Sequence, residues 1–408
     1  MKILCIPYSH TFSHLARPLA VGLALRERGH EAVFAGSSPK MRYALQAGFE
    51  VRDLFEPDPD VLYGNIRAGR LRFVPDQDLE RMIEADLELF KSVRPDAVLT
   101  DGRFSAQVSC QMAGLPHAAI VNVSSTACRA LPYIPMFEFV PEFLAPEGSF
   151  PRDCLNRVNL RLEMAVFDSV MSSFTRLSRR HGLRRKVTAT NCLAGADLTL
   201  MADIPEYFPV RNAPADHQFV GPLTWNLPGQ APEGWPAPRR DGPLVYVTMG
   251  STGIPEFFPI LLEMLDREQW DAVVTTGGQA GRLTAPNLHM WVGDFVEGNL
   301  VAPLCDVVVC HGGNGTIYQA LQYGKPVIGM PSIPDQAFNM RRVEALGLGR
   351  TVQWDQFEKN PGVLGEVIRE VISNPSYAEA ARRMQDVLRG YDAPARCADL
   401  LEGLRTER

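Results

Sequence analysis

The chain has 408 residues, a net charge of −6 and a hydrophobic content of 46%. This length is enough for two domains that each bury their own core, and the composition is that of a globular protein. The negative net charge gives no overall attraction to nucleic acid or to an anionic membrane. No apolar run approaches the roughly 18 residues that a membrane-spanning helix needs, and residues 1–7 become polar too soon for a signal peptide.

The eight cysteines are scattered along the chain without paired spacing. Some of them, such as Cys5 and Cys310, lie in apolar segments that resemble strands. The pattern therefore predicts free thiols in a reducing compartment, and we expect a cytoplasmic protein.

Apolar runs of strand length alternate with helix-period segments, which is the pattern of βαβ units and parallel sheets. In the first half, strands are predicted near 2–6, 31–35, 49–53, 96–100 and 117–121. Helices are predicted between them, near 15–28, 39–47, 78–93 and 103–113. The second half restarts the pattern, with strands near 243–248, 271–275, 289–293, 306–310 and 327–329. The sequence therefore predicts an α/β protein with a parallel sheet in each half.

Prolines and glycines are concentrated between the two halves, which is a composition typical of a linker. The predicted order is a first domain (1–215), a linker (216–242), a second domain (243–385) and a C-terminal helix that packs back toward the first domain (386–408).

The segment Cys305–Asn339 has the densest set of features typical of ligand binding. A buried strand (Val307–Cys310) leads into a glycine-rich turn that begins at His311, and a helix follows near Gly315. Glycines let the backbone approach a ligand, and a helix N-terminus presents unpaired N–H groups and a positive dipole end. His311 and Thr316 could add hydrogen bonds to a phosphate. A tight turn without a ligand is the alternative interpretation.

An acid and an amide, Asp335 and Gln336, follow the next predicted strand. Such a pair can bind hydroxyl groups, although an acid before a helix is also an ordinary N-cap. A phosphate site followed by a hydroxyl-binding pair predicts an activated sugar as the ligand.

Polar residues also follow other predicted strands, where open parallel sheets bind their ligands. His14 lies beyond the first strand, and Asp101 directly follows the strand at 96–100. A histidine can take a proton from a hydroxyl while a carboxylate orients its other ring nitrogen. The alternatives are a polar loop histidine and a helix cap at Asp101, and His10 competes for the role of base. If the two sheets face one another, these groups converge on one interdomain cleft.

Five segments match a known family in order and spacing. They are SHLARPLAVGLALRERGHE, RPDAVLTDGRFSAQVSCQMAGLP, GDFVEGNLVAP, HGGNGTIYQAL and PSIPDQAFN. Over nearly its whole length the chain resembles the bacterial nucleotide-sugar-dependent glycosyltransferases of the GT-B fold, family 1. This group includes macrolide, enediyne and plant secondary-product glycosyltransferases. In the family a histidine precedes a Gly-His pair by 15 residues, an interval that His14 and Gly29 keep.

The resemblance implies two Rossmann-like domains whose parallel sheets face an interdomain cleft. It implies an inverting, metal-independent transfer from a TDP- or UDP-sugar to a hydroxyl of a small lipophilic natural product, with no cofactor beyond the nucleotide sugar. His14 would be the base and Asp101 its partner. The implied donor-binding residues are Gly250, Ser251, Thr252, Phe295, Val296, His311, Gly313, Asn314, Gly315, Thr316, Gln319, Asp335 and Gln336.

The charge of a metal ion would be replaced by the helix dipole and by His311. An Asp-x-Asp pattern does occur at Asp58-Pro-Asp60, but a solvated acidic turn is the better interpretation there. The implied partners are a nucleotide sugar and a small acceptor, with no nucleic acid and no membrane span. A homodimer is left open.

Three positions depart from the family pattern. Arg17 stands where relatives commonly have proline, Glu297-Gly298 replaces Pro-Gln, and Gln319 replaces a glutamate that holds the nucleotide ribose. Glutamine still bonds a hydroxyl, but it lacks the charge that strengthens carboxylate–diol contacts. The last two departures leave the identity of the nucleotide open.

The acceptor-binding residues are not fixed by any motif. Aromatic residues of the first half are the candidates, namely Phe55, Phe104, Tyr133 and Phe137. An insertion at 125–186, with prolines, aromatic residues and many arginines, either lines the acceptor pocket or forms an ordinary solvated helix. Its arginines could instead suit an acidic or membrane-surface acceptor.

Three other functions compete with sugar transfer. A nicotinamide-dependent oxidoreductase would need G-x-G-x-x-G after the first strand, and PYSHTFSH contains no glycine. An inactive relative would bind the nucleotide sugar without transfer. A nucleotide-sugar epimerase of the same architecture would convert the donor without an acceptor.

Overall fold

The computed structural model describes residues 1–68, 70–126, 128, 146, 149–210, 212–224, 242–250, 256–278 and 283–404. The chain divides into two compact units. The first unit is Met1–Leu223 with Asp392–Arg408, and the second is Thr224–Tyr391.

A seven-stranded sheet forms the centre of the first unit. Its strands are Lys2–Pro7 (β1), Glu31–Ala35 (β2), Glu50–Arg52 (β3), Ala97–Asp101 (β4), His117–Val121 (β5), Leu198–Met201 (β6) and His217–Phe219 (β7). They are ordered β3-β2-β1-β4-β5-β6-β7, and every neighbouring pair is parallel. The helices that precede β7 are Phe12–Glu27 (α1), Arg42–Gln46 (α2), Pro59–Arg67 (α3), Asp76–Val93 (α4), Ala106–Ala113 (α5), Phe150–Val170 (α6) and Ser173–Arg180 (α7).

The second unit repeats the plan with six strands. They are Leu244–Thr248 (β8), Asp271–Thr275 (β9), Met290–Gly293 (β10), Val307–Cys310 (β11), Val327–Gly329 (β12) and Gly349–Thr351 (β13). The order is β10-β9-β8-β11-β12-β13, again with parallel pairs. The helices are Phe257–Arg267 (α8), Gly298–Val301 (α9), Asn314–Gln322 (α10), Pro334–Ala345 (α11), Trp354–Lys359 (α12), Gly362–Ser373 (α13) and Pro375–Leu388 (α14).

The central strands are buried on both faces, which explains why they are continuous apolar runs rather than alternating ones. Residues 3–6 of β1 and 307–310 of β11 are almost wholly inaccessible to solvent. The prediction of an α/β protein with a parallel sheet in each half is confirmed, and all ten predicted strands are present.

Three strands were not predicted: β6, β7 and β13. They have three or four residues, and β7 (HQF) and β13 (GRT) include polar side chains that show no apolar run. They form because a neighbouring strand offers a ready hydrogen-bonding ladder, as Val327 does for Gly349. The periodicity of a segment's own sequence does not show which strand it will pair with in the sheet.

Two predicted boundaries are corrected. Residues 217–219 were assigned to the linker, but they form β7 and pair with β6. Most of the remaining linker, 225–241, lies outside the described residues. The C-terminal segment was expected from 386, whereas α14 continues to Leu388 within the second unit and the return to the first unit begins at Asp392.

The last helix, Ala393–Gly403 (α15), packs against α1 within the first unit. Cys397, Ala398 and Leu401 bury its inner face. At the edge, Arg28 Nη1 lies 2.6 Å from Asp399 Oδ1, and His30 Nε2 lies 2.7 Å from Glu402 Oε1. The ion pairs are exposed, so apolar burial accounts for most of the stability of this contact.

All eight cysteines are free, as the sequence predicted. Burial raises the pKa of the Cys5 and Cys310 thiols to about 12, so both are inert apolar side chains. No helix in the described part of the chain is long and apolar enough to cross a membrane.

Candidate functional site

The parallel pairing of β1 with β4 brings His14 to Asp101. Pro7 and Asp101 are partners at the carboxyl ends of the two strands, and His14 lies in the first turn of α1, which follows β1. His14 Nδ1 is 2.5 Å from Asp101 Oδ1. The carboxylate is buried (1% exposed), whereas the imidazole is 32% exposed. Because a carboxylate only accepts hydrogen bonds, Nδ1 carries a proton, and Nε2 of the neutral ring is free to accept another.

The alternative role for Asp101, a helix cap, does not fit the structure. Helix α5 begins at Ala106, with Ser105 as its N-cap residue. The competitor His10 lies elsewhere: its Nε2 is 4.0 Å from Glu56 Oε2 and 3.4 Å from Ser37 Oγ. His14 is therefore the histidine that Asp101 holds.

Arg17 is the main site residue that sequence reasoning missed. Its Nε and Nη2 donate to the two oxygens of Asp101 at 2.7 and 2.6 Å. Its Nη1 donates to Asn122 Oδ1 at 2.5 Å, and its Nη2 lies 3.2 Å from His14 Nδ1. The arginine is one turn beyond His14 on α1, so both side chains reach β4 from one helix face. The sequence did contain one signal for this role, because an arginine stands where the family commonly has proline.

A glycine makes room for this arrangement. Gly102 has φ +81°, and a Cβ there would lie 3.0 Å from Tyr8 Cβ and 3.4 Å from His14 Nδ1. Any other residue would be strained and would press on the imidazole. The turn after Asp101 therefore requires glycine.

A second buried carboxylate, Glu56, connects the loops that follow β1, β2 and β3. Its Oε1 accepts from Ser9 N at 2.6 Å, and its Oε2 accepts from Ser37 N at 2.7 Å and from the Ser9 hydroxyl. These bonds fix the residues that lead into α1. No motif marks Glu56 in the sequence.

An aromatic cluster borders His14 in the first unit. Tyr8 lies edge-on to His14, with ring centroids 6.5 Å apart, and belongs to a buried cluster with Phe104 that also packs Phe55 and Tyr63. Burial is the largest effect that raises the pKa of the Tyr8 phenol, so it stays protonated. Its hydroxyl is buried and has no hydrogen-bonding partner among the described residues.

Two of the four acceptor candidates, Phe55 and Phe104, are therefore in the cluster next to His14. The other two, Tyr133 and Phe137, lie outside the described residues.

In the second unit, β11 leads through a turn into α10 as the sequence indicated. Gly312 has φ +84°, and a Cβ there would lie 3.0 Å from Gln336 O. Helix α10 begins at Asn314 after the N-cap residue Gly313, without a side-chain cap and without an acid in its first turn. Its N-terminal N–H groups can therefore bind an anion. Gly315 and Thr316 lie in this first turn.

His311 packs between two glycines at the start of this turn. A Cβ on Gly250, which has φ +56°, would lie 2.7 Å from His311 Cε1, and a Cβ on Gly313 would also collide with the ring. Desolvation lowers the pKa of His311 to about 4, although a hydrogen bond with the Thr248 backbone opposes the shift. In the protein without a bound donor the His311 ring is therefore neutral near neutral pH, which counts against a contribution of positive charge from it. Ser251 and Thr252 lie outside the described residues.

The acid–amide pair lies in the first turn of α11. The N-cap residue is Ile333, so Asp335 is not the cap, and its side chain is partly exposed. Gln336 is buried, and its Oε1 accepts from Ser332 N at 2.8 Å. Asp335 is thus the more accessible member of the pair, and the side-chain carbonyl of Gln336 holds the preceding loop.

Two departures from the family pattern lie side by side. A Cβ on Gly298 would collide with the amide of Gln319, so the Gln319 side chain occupies the space that a residue larger than glycine would take. Nearby in sequence, Phe295 is 49% exposed while Val296 is buried. Phe295 is therefore not a core aromatic residue.

The Asp-x-Asp pattern belongs to a helix start. Asp58 is the N-cap residue of α3, and its Oδ1 accepts from Asp60 N at 2.8 Å and from Val61 N at 3.4 Å. No group of three metal-ligating side chains that could hold an ion was found in the residues that the structure describes.

Replacing Arg17 by methionine removes the charge that offsets Asp101. Because an uncompensated buried charge is costly, we expect Arg17→Met to lower the free energy of unfolding by about 3 kcal/mol. The double variant Arg17→Met/Asp101→Asn should be more stable than Arg17→Met alone, since asparagine carries no charge. Denaturant unfolding of the wild type, both single variants and the double variant measures this coupling. A double variant no more stable than Arg17→Met would contradict the role given to the charge.

Comparisons with known proteins show the family of the chain. Residues 268–404 match a family model described as erythromycin biosynthesis protein CIII-like, C-terminal domain. The chain is 31% identical over 390 residues to the PGL/p-HBAD biosynthesis rhamnosyltransferase of Mycobacterium bovis (strain BCG / Pasteur 1173P2), covering 94% of this chain and 84% of the relative. An inactive PGL/p-HBAD biosynthesis glycosyltransferase of the same organism is 30% identical over 272 residues, 65% of this chain and 71% of the relative.

Among solved structures, spinosyn rhamnosyltransferase SpnG complexed with thymidine diphosphate superposes with a TM-score of 0.69 at 21% identity, over 98% of this chain and all of the other. This likeness shows the fold. The chain is therefore a glycosyltransferase of the GT-B fold and belongs to family 1, the macrolide and natural-product glycosyltransferases.

Proposed function

We propose that this glycosyltransferase transfers a sugar, with inversion, from a TDP- or UDP-sugar to a hydroxyl of a small lipophilic acceptor. It would need no metal ion and no cofactor beyond the nucleotide sugar as co-substrate. The observation that supports the proposal most is the buried Asp101 carboxylate behind the partly exposed His14 ring.

A thymidine nucleotide and a rhamnosyl group are the first donor components to test. The mycobacterial relative is named a rhamnosyltransferase, and the spinosyn enzyme was solved with thymidine diphosphate. In this chain, the α10 N-terminus would bind the diphosphate, Asp335 would bind sugar hydroxyls and exposed Phe295 would stack on the base.

The base step follows from the tautomer of His14. Nε2 takes the proton of the acceptor hydroxyl as the oxygen attacks the anomeric carbon from the face opposite the leaving group. The new C–O bond forms as the bond to the nucleotide phosphate breaks, through a transition state with oxocarbenium character. Asp101 stabilises the resulting imidazolium, and Arg17 holds the carboxylate in place through two hydrogen bonds.

The leaving diphosphate gains negative charge in this step. Fixed N–H groups and the positive end of the α10 dipole stabilise that charge without reorganisation. Neutral His311 has a single N–H, which is engaged with the Thr248 backbone, so it can donate to the phosphate only by giving up that bond. The Asp58 carboxylate is already committed to a helix cap, which favours a donor site that uses no Asp-x-Asp metal.

The acceptor would lie against the aromatic cluster beside His14. Its rings account for a lipophilic acceptor, and the unpartnered Tyr8 hydroxyl would donate a hydrogen bond to an acceptor oxygen. Burying that hydroxyl without a partner costs about 1–3 kcal/mol, so a ligand oxygen that pairs with it gains affinity and orientation.

The His14→Ala variant tests the base. Loss of general-base catalysis should lower the rate of sugar transfer by about 10²–10⁴-fold, while thymidine diphosphate still raises the melting temperature as in the wild type. His10→Ala is the matched control, four residues before His14 and without a contact to Asp101, and should retain the transfer rate. Unchanged transfer by His14→Ala would refute the assignment. Donor conversion without an acceptor would favour the epimerase, and donor binding without any turnover would favour an inactive binder.

The Gly298→Ala variant tests the nucleotide end of the site. The added methyl group displaces the Gln319 amide, so we expect the Kd for thymidine diphosphate to rise about tenfold, the effect of one lost hydrogen bond to a ribose hydroxyl. Gly64→Ala, where a Cβ meets nothing within 4 Å, controls for the glycine-to-alanine change itself. Calorimetric titration that gives equal Kd values for Gly298→Ala and the wild type would remove Gln319 from the donor site.

A further inference from the structure

Helix α6 has a row of large apolar side chains that face solvent. Phe150, Val158, Leu162 and Val166 are 78%, 52%, 57% and 49% exposed. Their spacing of eight, four and four residues places them along one side of the helix, over a length of about 24 Å. The arrangement is an unpartnered apolar stripe and not a set of isolated surface residues.

The opposite side of the same helix is anchored in the first unit. Phe167 stacks on Phe73 with ring centroids 5.7 Å apart, and Phe167 and Met171 pack into the aromatic cluster that contains Tyr8. The inward face of the C-terminal part of α6 is thus satisfied. The stripe is a second apolar face of α6. The helix does not need this face in order to pack against the first unit.

Charge distinguishes this part of the chain from the rest. Residues 150–186 contain nine arginines and lysines against three aspartates and glutamates, a net charge of +6 in a chain whose total is −6. Helix α6 itself has three arginines and three acids, so the excess lies directly after it, in residues 171–186. Arg157 and Arg161 are exposed, lie one turn apart beside the stripe, and have no ion pair among the described residues. In contrast, Arg176 and Arg184 pair with Asp76 and Asp197 at 2.6 Å.

We propose that α6 lies on the surface of a membrane that contains anionic lipid. The stripe would insert at the boundary between headgroups and acyl chains, and Arg157 and Arg161 would pair with lipid phosphates. The negative charge of the rest of the chain is repelled by the same surface, which favours an approach through this face.

A second copy of the chain is a poorer occupant of the stripe. A two-fold contact through α6 would bring Arg157 and Arg161 of one copy near those of the other, and like charges facing each other oppose association. An anionic lipid surface offers the complementary charge together with an apolar layer along the whole helix.

The inference goes beyond the proposed function, and vesicle binding does not depend on sugar transfer. Under the proposed function it adds a route for the acceptor. A lipophilic acceptor dissolved in the bilayer would meet the helix whose inner face contributes Phe167 to the cluster beside His14.

Co-sedimentation with vesicles tests the proposal on the full chain, without donor or acceptor. Vesicles of phosphatidylcholine alone are compared with vesicles that also contain about 30% phosphatidylglycerol, at low and at high salt. We expect binding to the anionic vesicles that weakens with salt. Leu162→Gln/Val166→Gln should lower the partition coefficient about tenfold, and Arg157→Gln/Arg161→Gln should remove most of the preference for anionic lipid.

The controls use exposed apolar residues from other helices and loops. Leu45→Gln and Leu288→Gln change side chains of comparable exposure, 58% and 65%, and should bind vesicles like the wild type. Melting temperature and its increase with thymidine diphosphate verify that each variant is folded. Absence of wild-type binding, or equal binding by Leu162→Gln/Val166→Gln, would overturn the proposal. So would a change of oligomeric state in that variant, which would assign the stripe to a second copy.

Discussion

The carboxylate of Asp101, buried at the end of β4, is the constraint on which the site of the first unit depends. Removing a charge from water costs several kcal/mol, and well-placed hydrogen bonds and opposite charge must offset that cost. Two guanidinium N–H groups of Arg17 and one imidazole N–H of His14 donate hydrogen bonds to the Asp101 carboxylate and offset this cost. Because all of these donors lie on α1, a shift of α1 along β4 would leave the Asp101 carboxylate without its hydrogen-bond donors. The position of His14 is therefore a consequence of burying Asp101.

The second unit uses a different physical principle. Its candidate phosphate site has no positive side chain among the site residues, and its histidine is neutral because burial disfavours the imidazolium. The oriented backbone N–H groups at the start of α10 are left to stabilise negative charge. They can do so because they are already in place and need no reorganisation. Glycines at 250, 312 and 313 are required there because the backbone and the His311 ring leave no room for a Cβ.

Much of the fold was predictable because apolar runs report burial directly. Most of the ten predicted strands are largely buried, although the edge strand β3 has two exposed residues. The strands β7 and β13 depend on a neighbouring strand that a local pattern cannot reveal. The same limit applies to the site. Motif spacing identified His14 and Asp101, but the bonds from Arg17 to Asp101 join residues 84 positions apart, and the contact between Gly298 and Gln319 connects two departures that looked independent in sequence. The neutrality of His311 depends on its desolvation, which a sequence does not show.

The anomeric configuration of the product tests the account most directly. Single displacement by a hydroxyl that His14 deprotonates inverts the anomeric carbon, whereas a double displacement retains its configuration. Proton NMR of the glycoside formed from a donor of known configuration, recorded before any equilibration, distinguishes the two. The account predicts a product of opposite anomeric configuration to the donor, and a product that retains the donor's configuration would contradict it.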